Sequence, residues 1–299
     1  MRILVAIVHH WNPLGGGKHA SLRKDFLPRK EGLQKQLLAL RRLCAIQGTI
    51  NFSSLHFEPV NNALGHVIDI KLITDGEHTV MKYLDAPYKK MFQEVATKPR
   101  DGFHLGFEAQ KYLASCLEEK YDLYCYLEDD LVINDPLFFH KIIWFNKELG
   151  DKKLVLPHRV EFLPTPYYIQ KLYIDGPVPS DVLKEYIPDP AKPIVAGTAA
   201  GKIKYESPLN PHSGCFFLTH AQLKFWKEQS SWQDGDISFI SPLESAATLG
   251  IIKNFITYKP TLSYSAWIEI QHWGGSFITQ LGPSEISEKS KEKDILKNE

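Results

Sequence analysis

The chain has 299 residues, of which 43% are hydrophobic and 23% are charged, and its formal net charge at pH 7 is zero. This is the composition of an ordinary globular protein, and the length allows one large α/β domain or two small ones. Because there is neither a basic excess nor a polybasic segment, nucleic acid and anionic membrane surfaces are not expected as partners.

Cysteine spacing and the N-terminus narrow the class further. The four cysteines form no C-x-x-C pair, so a zinc ribbon or a thioredoxin-type site is not expected. The apolar start Met1–Val8 is too short to span a membrane. It runs into His9-His10-Trp11 without a small-residue cleavage site, so no signal peptide is expected. We therefore expect a cytoplasmic protein without an integral membrane segment, while peripheral association with a membrane stays open.

Strands and a helix are expected in the first part of the chain. Residues Ile3–Val8 form a continuous apolar run, as in a strand buried on both faces of a sheet. A helix with a stop at Gly48 follows, and its apolar residues recur at helical spacing: Leu33, Leu37, Leu40 and Cys44. The segments Val67–Thr74 and Glu77–Leu84 flank Asp75-Gly76, which predicts a β-hairpin with Asp75 as a turn residue and not a ligand.

The second part of the chain continues the alternation. An amphipathic helix ends near Lys120 and leads directly into an apolar strand, Leu123–Leu127. The later predicted elements are a helix over Leu137–Leu149, a strand over Lys153–Pro157, a strand over Gly214–Thr219 and a helix over Ala221–Glu228. Between them, Phe162–Asn210 is rich in Pro, Gly and Tyr and has little periodicity, which is typical of a functional or mobile segment. Residues 284–299 are charged and poor in apolar residues, so we expect one domain over 1–283 and a disordered tail.

An acidic block interrupts the apolar stretch Tyr124–Pro136. Glu128, Asp129 and Asp130 are adjacent and follow a predicted buried strand. Carboxylates this close raise one another's pKa unless a cation offsets them, and the simplest such cation is a divalent metal with oxygen ligands. The competing interpretation is a solvated loop or a helix N-cap. The block therefore indicates a metal site at the end of a sheet, where open α/β folds place their ligands.

The unit from Gly106 to Asp130 resembles the metal-binding core of GT-A glycosyltransferases, in which an acidic DxD motif ends a central strand. Here the motif reads Glu128-Asp129-Asp130. Three later segments fit the same family in the expected order: Asn210–Leu218 with its glycine, Pro242–Ala246 as the acidic helix start, and His272–Ser276 near the C-terminus. The resemblance covers roughly residues 1–277, through the order of segments and not through detailed identity.

The resemblance implies a fold and a reaction. The fold would be α/β, a Rossmann-like α/β/α sandwich with a mostly parallel central sheet. The reaction would move a sugar from a nucleoside-diphosphate sugar to an acceptor hydroxyl on a carbohydrate, a lipid-linked molecule or a protein, with Mn²⁺ or Mg²⁺ as cofactor. Whether the stereochemistry inverts or is retained stays open.

The resemblance also implies roles for single residues. Asp130 would bind the metal directly and His272 would complete the metal site. Asp129 would face the ribose hydroxyls, Glu128 would hold a metal-bound water, and Gly214 would border the donor sugar. Glu244 would be the general base of an inverting reaction or would position the acceptor in a retaining one.

Several of these residues have a second interpretation. Glu244 lies three residues after Ser241, with Pro242 between them, which is also the pattern of a capping box. Asp234 and Asp236 are alternative acids in the preceding loop. His272 could equally be an ordinary, partly buried histidine.

The remaining candidates lie away from the acidic block. His9 and Asn12, with His10, follow the first strand, where a ring can stack on a base and an amide can read its edge. Arg100 is either a phosphate ligand or a solvated surface residue. Aromatic residues of Phe162–Tyr173 could line an acceptor groove or pack in a surface loop.

Two other functions compete with glycosyl transfer. A sugar-nucleotide nucleotidyltransferase also combines a parallel sheet with acids and Mg²⁺, but would carry a glycine-rich, basic N-terminal signature, whereas only Lys18 follows the glycines closely. That loop is not a P-loop, which would need Gly at position 12 and Ser or Thr at position 19. The third possibility is a non-catalytic carbohydrate- or protein-binding module on the same fold.

Overall fold

The computed structural model describes residues 1–16, 20–162 and 171–280. Its strands are β1 (Arg2–Val8), β2 (Gly48–Asn51), β3 (His56–Pro59), β4 (Val67–Thr74), β5 (Gln93–Ala96), β6 (Leu123–Glu128), β7 (Leu131–Val132), β8 (Lys153–Val155), β9 (His158–Phe162), β10 (Lys171–Tyr173), β11 (Ile194–Thr198), β12 (Gly201–Glu206), β13 (Cys215–Leu218), β14 (Ile256–Pro260) and β15 (Glu269–His272). Its helices are α1 (Leu27–Arg42), α2 (Ala86–Lys89), α3 (Leu105–Ser115), α4 (Phe138–Leu149), α5 (Ser180–Tyr186), α6 (His220–Lys227) and α7 (Pro242–Ile252).

A mostly parallel sheet lies at the centre of the molecule. Its strand order is β5–β4–β1–β6–β13. Strands β1, β4, β5 and β6 run parallel, and only β13 pairs in the antiparallel direction, against β6. The predicted α/β class with a mostly parallel sheet is therefore confirmed. The GT-A arrangement expected in more detail stays a prediction.

Helices cover both faces of this sheet, because both faces are apolar. Alternate side chains of β1 point to opposite faces. Ile3, Val5 and Ile7 pack with apolar residues of α1 and α4, whereas Leu4 and Ala6 pack with apolar residues of α3, α6 and α7. All five of these side chains are fully buried, so the sheet is the middle layer of an α/β/α sandwich.

The acidic segment connects the central sheet to a second one. Only Asp129 and Asp130 separate the end of β6 from the start of β7, and β7 belongs to a sheet of order β10–β9–β15–β7. A third sheet has the order β11–β12–β14–β8, and β2 and β3 form a separate hairpin. Residues at the β6–β7 turn therefore lie where two sheets meet.

Two local predictions were wrong. No strand forms over Glu77–Leu84, so the predicted hairpin is absent, and β4 pairs in parallel with β1 and β5 instead. The Asp75 carboxylate accepts the backbone N–H groups of Glu77 (3.0 Å) and His78 (2.8 Å), which closes a local turn without a second strand. Helix α1 ends at Arg42, before the predicted stop, and Gly48 begins β2.

Two further expectations concern the later part of the chain. Ser241 precedes α7 with Pro242 at the first helical position, but its side chain makes no capping hydrogen bond, so the capping box is not formed. In the described residues after 170, the segment expected to be irregular contains β10, α5 and the β11–β12 hairpin. Residues 163–170 of the proposed acceptor groove, and the predicted tail, lie outside the described residues.

Substitution of Gly106 tests the close packing between α3 and α7. A Cβ atom added there would lie 2.6 Å from the Ala246 Cβ and 2.7 Å from the Tyr126 hydroxyl. We expect Gly106→Ala to destabilise the protein by about 1–3 kcal/mol, since a packed core resists added volume. Urea unfolding followed by circular dichroism measures the change.

Gly32 is the matched control, because it also lies inside a helix, α1, but its added Cβ would meet only ordinary contacts at 3.5 Å or more. Gly32→Ala is expected to be neutral or to stabilise by up to about 1 kcal/mol, from helix propensity. Equal effects of the two substitutions would contradict the close packing of α3 on α7.

Candidate functional site

Strand register brings the predicted site residues to one edge of the central sheet. Val8 pairs with Glu128 in the parallel β1–β6 ladder, so His9 comes next to Asp129. Cys215 pairs with Leu127 in the antiparallel β13–β6 ladder, and the N–H of Glu128 donates to the carbonyl of Gly214 at 3.0 Å. The ends of β1 and β6 and the start of β13 therefore surround the acidic segment.

Asp129 is held by two buried basic side chains. Its Oδ2 lies 2.5 Å from His9 Nδ1, and its Oδ1 accepts a hydrogen bond from Arg29. The N–H of Val80 donates to His9 Nε2 at 3.1 Å, so Nδ1 carries the proton and donates to Asp129. His9 and Asp129 are almost completely buried. Nucleotide binding by His9 and Asp129 stays a prediction, and their contacts favour a supporting role.

Arg29 is a buried cation in direct contact with the acidic segment. Its Nη1 lies 3.0 Å from Asp130 Oδ2, in addition to its bond to Asp129. Burial would lower the pKa of Arg29, but Asp129 and Asp130 raise it above its ordinary value. A guanidinium thus already supplies part of the charge balance that the sequence argument assigned to a metal.

Glu128 lies apart from this pairing and behaves differently. Burial, with the nearby charge of Asp130, raises the pKa of Glu128 to about 8. Its Oε1 has no hydrogen-bond partner among the described residues, and His212 Nε2 lies 3.9 Å from it. Burial and the neighbouring acids therefore favour the protonated form of the Glu128 carboxyl group, and an approaching cation would oppose this shift.

Pairing between β7 and β15 brings His272 to the acidic segment. His272 pairs with Leu131, the N–H of Trp273 donates to the carbonyl of Asp130 at 2.8 Å, and His272 Nε2 lies 3.7 Å from Asp130 Oδ2. The structure thus brings the two predicted metal ligands together, although their role as ligands stays a prediction.

Glu161 fixes the orientation of the His272 ring. Its Oε1 lies 2.7 Å from His272 Nδ1, and its Oε2 accepts the N–H groups of Phe277 (2.9 Å) and Ile278 (2.7 Å). Burial alone would lower the pKa of His272, but Asp130 and Glu161 raise it. With Nδ1 donating to Glu161, Nε2 is the nitrogen left to face Asp130 and to bind a cation when the ring is neutral.

Glu244 lies in the first turn of α7, close to the acidic segment. Its Oε2 is buried without a hydrogen-bond partner among the described residues. The charge of Glu244 adds to burial in raising the pKa of Tyr126, and it contributes to the raised pKa of Glu128. The predicted catalytic carboxylate therefore has an oxygen free of structural hydrogen bonds, and its catalytic role stays a prediction.

A buried ion triad supports the segment that carries Gly214. Asp175 accepts from Arg159 Nε at 2.8 Å and from Lys259 Nζ at 2.7 Å, and Lys259 also donates to the carbonyl of His212 at 2.9 Å. Burial alone would raise the pKa of Asp175, but Arg159 and Lys259 hold it well below its ordinary value. Arg159 also opposes the rise in the pKa of Glu128, so the triad and the site are electrostatically linked.

The other predicted residues take part in local contacts. The Asn12 side chain accepts the N–H of Leu14 at 3.0 Å, and Arg100 is exposed. Asp234 and Asp236 both bind Lys253, at 2.6 Å and 2.8 Å. These contacts do not connect the four residues to the acidic segment, and nucleotide binding by Asn12 and Arg100 stays a prediction.

One side-chain group outside the acidic segment has the composition of a metal site. His10, Asp75 and His78 each offer a ligand atom within 4.8 Å of those of the other two, and no other such group of three occurs among the described residues. Asp75, expected only to form a turn, belongs to this group. The cofactor expected from the sequence, Mn²⁺ or Mg²⁺, stays a prediction.

Arg29 and Glu161 were missed by the sequence analysis, but one of them left a signal. Arg29 lies four residues before Leu33 and eight before Leu37, so it extends the apolar stripe of α1 as a buried charge. Gln36, on the same stripe, donates to the carbonyl of Glu128 at 2.7 Å. Polar residues on an apolar stripe indicate buried partners. No comparable pattern marks Glu161, which lies just before the segment without periodicity.

No protein-family profile matches the chain, and no curated protein matches it in sequence. Among solved structures it resembles one from Thermus thermophilus described as a mannose-1-phosphate geranyltransferase, with 12% identity, a TM-score of 0.38, and coverage of 87% of this chain and 73% of that chain. A likeness this weak carries no conclusion about activity. None of the helices among the described residues combines the length and apolarity needed to cross a bilayer.

Two features of Gly214 predict that a larger residue at this position destabilises the protein: its positive φ and the closeness of Glu128. Its φ is +62°, and an added Cβ would lie 2.7 Å from Glu128 Oε2. We expect Gly214→Ala to destabilise the protein by about 1–3 kcal/mol more than the same change at Gly235, which has φ +68° and no atom within 4 Å of an added Cβ. Thermal unfolding of the two variants measures this difference. Similar losses would mean that only backbone strain matters at Gly214.

The lowered pKa of Asp175 predicts that the folded protein loses stability at acid pH. Because the folded pKa of Asp175 lies below its ordinary 3.8, its stabilising contribution is present above about pH 4 and is lost as the pH falls further. We expect Asp175→Asn to cost about 3–5 kcal/mol at pH 7, since it leaves Arg159 and Lys259 buried without a counter-charge. The gap between variant and wild type should narrow below about pH 4 in denaturant unfolding curves.

Asp236→Asn is the control for this series. Asp236 also pairs with a lysine, but its side chain is 32% exposed, and such pairs contribute about 0–1 kcal/mol. A pH-independent gap for Asp175→Asn would show that packing, and not charge, is lost there.

Proposed function

We propose that this chain is a metal-dependent glycosyltransferase that moves a sugar from a nucleoside-diphosphate sugar to an acceptor hydroxyl. The proposal depends chiefly on one observation, the 3.7 Å separation between Asp130 Oδ2 and His272 Nε2 at the edge of the central sheet. Open α/β sheets bind their ligands beyond the carboxyl ends of the strands, and β6 ends at Glu128, two residues before Asp130.

The residues at this edge fit a divalent cation. Asp130 and His272 would hold the ion directly. Glu128 does not form a group of three with them within 4.8 Å, so its buried Oε1, which has no hydrogen-bond partner among the described residues, would instead orient a bound water. Carboxylate and imidazole together suit Mn²⁺, and carboxylate with water suits Mg²⁺. When bound, the cation would offset the negative charge that develops on the leaving diphosphate.

The transfer needs a proton acceptor, and Glu244 is the candidate. The acceptor oxygen forms a bond to the anomeric carbon while the bond from that carbon to the diphosphate oxygen breaks. The bonding pair leaves with the nucleoside diphosphate, and the acceptor's proton passes to a base. In an inverting reaction Glu244 would take this proton, and in a retaining one it would position the acceptor. Its buried oxygen without a hydrogen-bond partner among the described residues supports either role.

Nucleotidyl transfer is the second candidate. In that reaction a sugar-phosphate oxygen attacks the α-phosphorus of a nucleoside triphosphate, and pyrophosphate leaves with the electron pair. Two observations favour it: the loop after β1 contains Gly15 and Gly16, and the buried Arg29 in the first turn of the following helix reaches the acids. A non-catalytic binding module remains the third possibility.

Asp130→Asn tests the proposed metal role. With UDP-, GDP- and ADP-sugars and MnCl₂, we expect the wild type to release nucleoside diphosphate and Asp130→Asn to lose at least about 100-fold in rate. This loss should exceed the 10–100-fold typical of residues that only support metal ligands. Thermal-shift measurements with each nucleotide, with and without MnCl₂, report binding separately from turnover.

Asp234→Asn is the matched control, because Lys253 keeps its second partner, Asp236, and its rate should stay within about twofold of wild type. Pyrophosphate release from nucleoside triphosphates and sugar 1-phosphates would instead support nucleotidyl transfer. Equal rates for wild type and Asp130→Asn would remove the proposed metal site. Nucleotide binding without any turnover would support a binding module.

A further inference from the structure

We propose that His10, Asp75 and His78 form a second cation site, one that binds Zn²⁺ through two imidazole nitrogens and one carboxylate oxygen. The site shares no residue with the acidic segment, and the proposal does not rest on the proposed function. It begins from the three ligand atoms that lie within 4.8 Å of one another.

Strand register explains why these three residues meet. Val8 pairs with Ile73 in the parallel β1–β4 ladder, and the N–H of His9 donates to the carbonyl of Ile73 at 3.0 Å. The next residues along the two strands bring His10 beside Asp75. The turn closed by Asp75 then places His78 on the same carboxylate, with its Nδ1 2.7 Å from Asp75 Oδ2.

The separations suit a small ion. His10 Nδ1 lies 3.6 Å from Asp75 Oδ2, and the two imidazole ring centres are 5.2 Å apart. Ligands bound at about 2.0–2.2 Å in a tetrahedral site lie roughly 3.4 Å from one another. His10 and Asp75 already have this spacing, and the hydrogen bond between His78 and Asp75 would open by less than an ångström, to roughly 3.4 Å.

His10 is the residue that distinguishes this group from an ordinary turn. Its Nδ1 is buried and has no hydrogen-bond partner among the described residues. The ring lies against Gly102, where an added Cβ would be 3.1 Å from His10 Cε1, so its position is sterically constrained.

The donor set and the exposure indicate the kind of ion. Two histidines and one carboxylate are typical of Zn²⁺ sites that keep a position open, whereas Mg²⁺ prefers oxygen ligands and water. The side chain of His78 is 39% exposed and that of His10 is 23% exposed. A bound ion would therefore have a face toward solvent, where a water or a ligand oxygen can complete the coordination.

The chain contains a natural control for this site. Asp101 and His104 repeat the same local arrangement. Their side chains are 2.7 Å apart, and the backbone N–H groups of Phe103 and His104 donate to the Asp101 carboxylate. That pair lacks a third ligand within the metal-binding distances among the described residues. The comparison separates a metal site from an aspartate–histidine turn.

Titration calorimetry of the full chain with ZnCl₂, without nucleotide and after treatment with a chelator, tests the proposal. We expect a Zn²⁺-binding event whose affinity is at least roughly tenfold weaker in both His10→Ala and His78→Ala. His104→Ala should bind Zn²⁺ as the wild type does, and Asp130→Asn, which alters only the other proposed cation site, should retain the binding event that His10→Ala and His78→Ala weaken. Circular dichroism establishes that each variant is folded, and Co²⁺ absorption should show tetrahedral bands that disappear with His78→Ala.

Several outcomes would overturn the proposal. These are unchanged Zn²⁺ affinity in His10→Ala and His78→Ala, an equal loss in His104→Ala, or loss of the Zn²⁺ site in Asp130→Asn only. Because the titration contains no nucleotide sugar, failure here leaves the Asp130 experiment unaffected. Failure of that experiment likewise leaves the Zn²⁺ titration intact.

Discussion

The contact of one guanidinium with two neighbouring carboxylates is the interaction on which the rest of this edge depends. Asp129 and Asp130 are adjacent, and both bind Arg29. Without that cation, ionised carboxylates in a buried turn would be strongly unfavourable. With Arg29 in place, the chain can pass from β6 to β7 through charged residues, and the His9 ring can lie against the Asp129 carboxylate.

The remaining charges fall into separate environments, and this separation gives the site its chemical character. Glu128 is buried with its pKa raised, His272 is held by Glu161, and Asp175 is enclosed by Arg159 and Lys259. Neighbouring titratable groups whose environments move their pKa values apart are typical of functional sites.

The fold was more predictable than the site because apolar periodicity is local in sequence and charge pairing is not. The runs Ile3–Val8 and Leu123–Leu127 predicted two central strands, and the adjacent acids after the second run predicted a site at the end of the sheet. Arg29 lies 100 residues before Asp129, and only its position on the apolar stripe of α1 indicates that its side chain is buried. The hairpin at Asp75-Gly76 was wrong because β4 has parallel neighbours, which the turn residues do not reveal. For the same reason the meeting of His10 with Asp75 could not be expected, since it requires the register of two strands.

Backbone pairing between β7 and β15 places His272 next to Asp130. Neither residue lies on a loose loop, since one ends a strand and the other directly precedes its antiparallel neighbour. An incoming ligand would therefore meet a gap whose width is set before it arrives, so little ordering entropy would remain to be lost on binding. If the proposed cation binds between Asp130 and His272, a separation set by strand pairing would favour ions of matching radius.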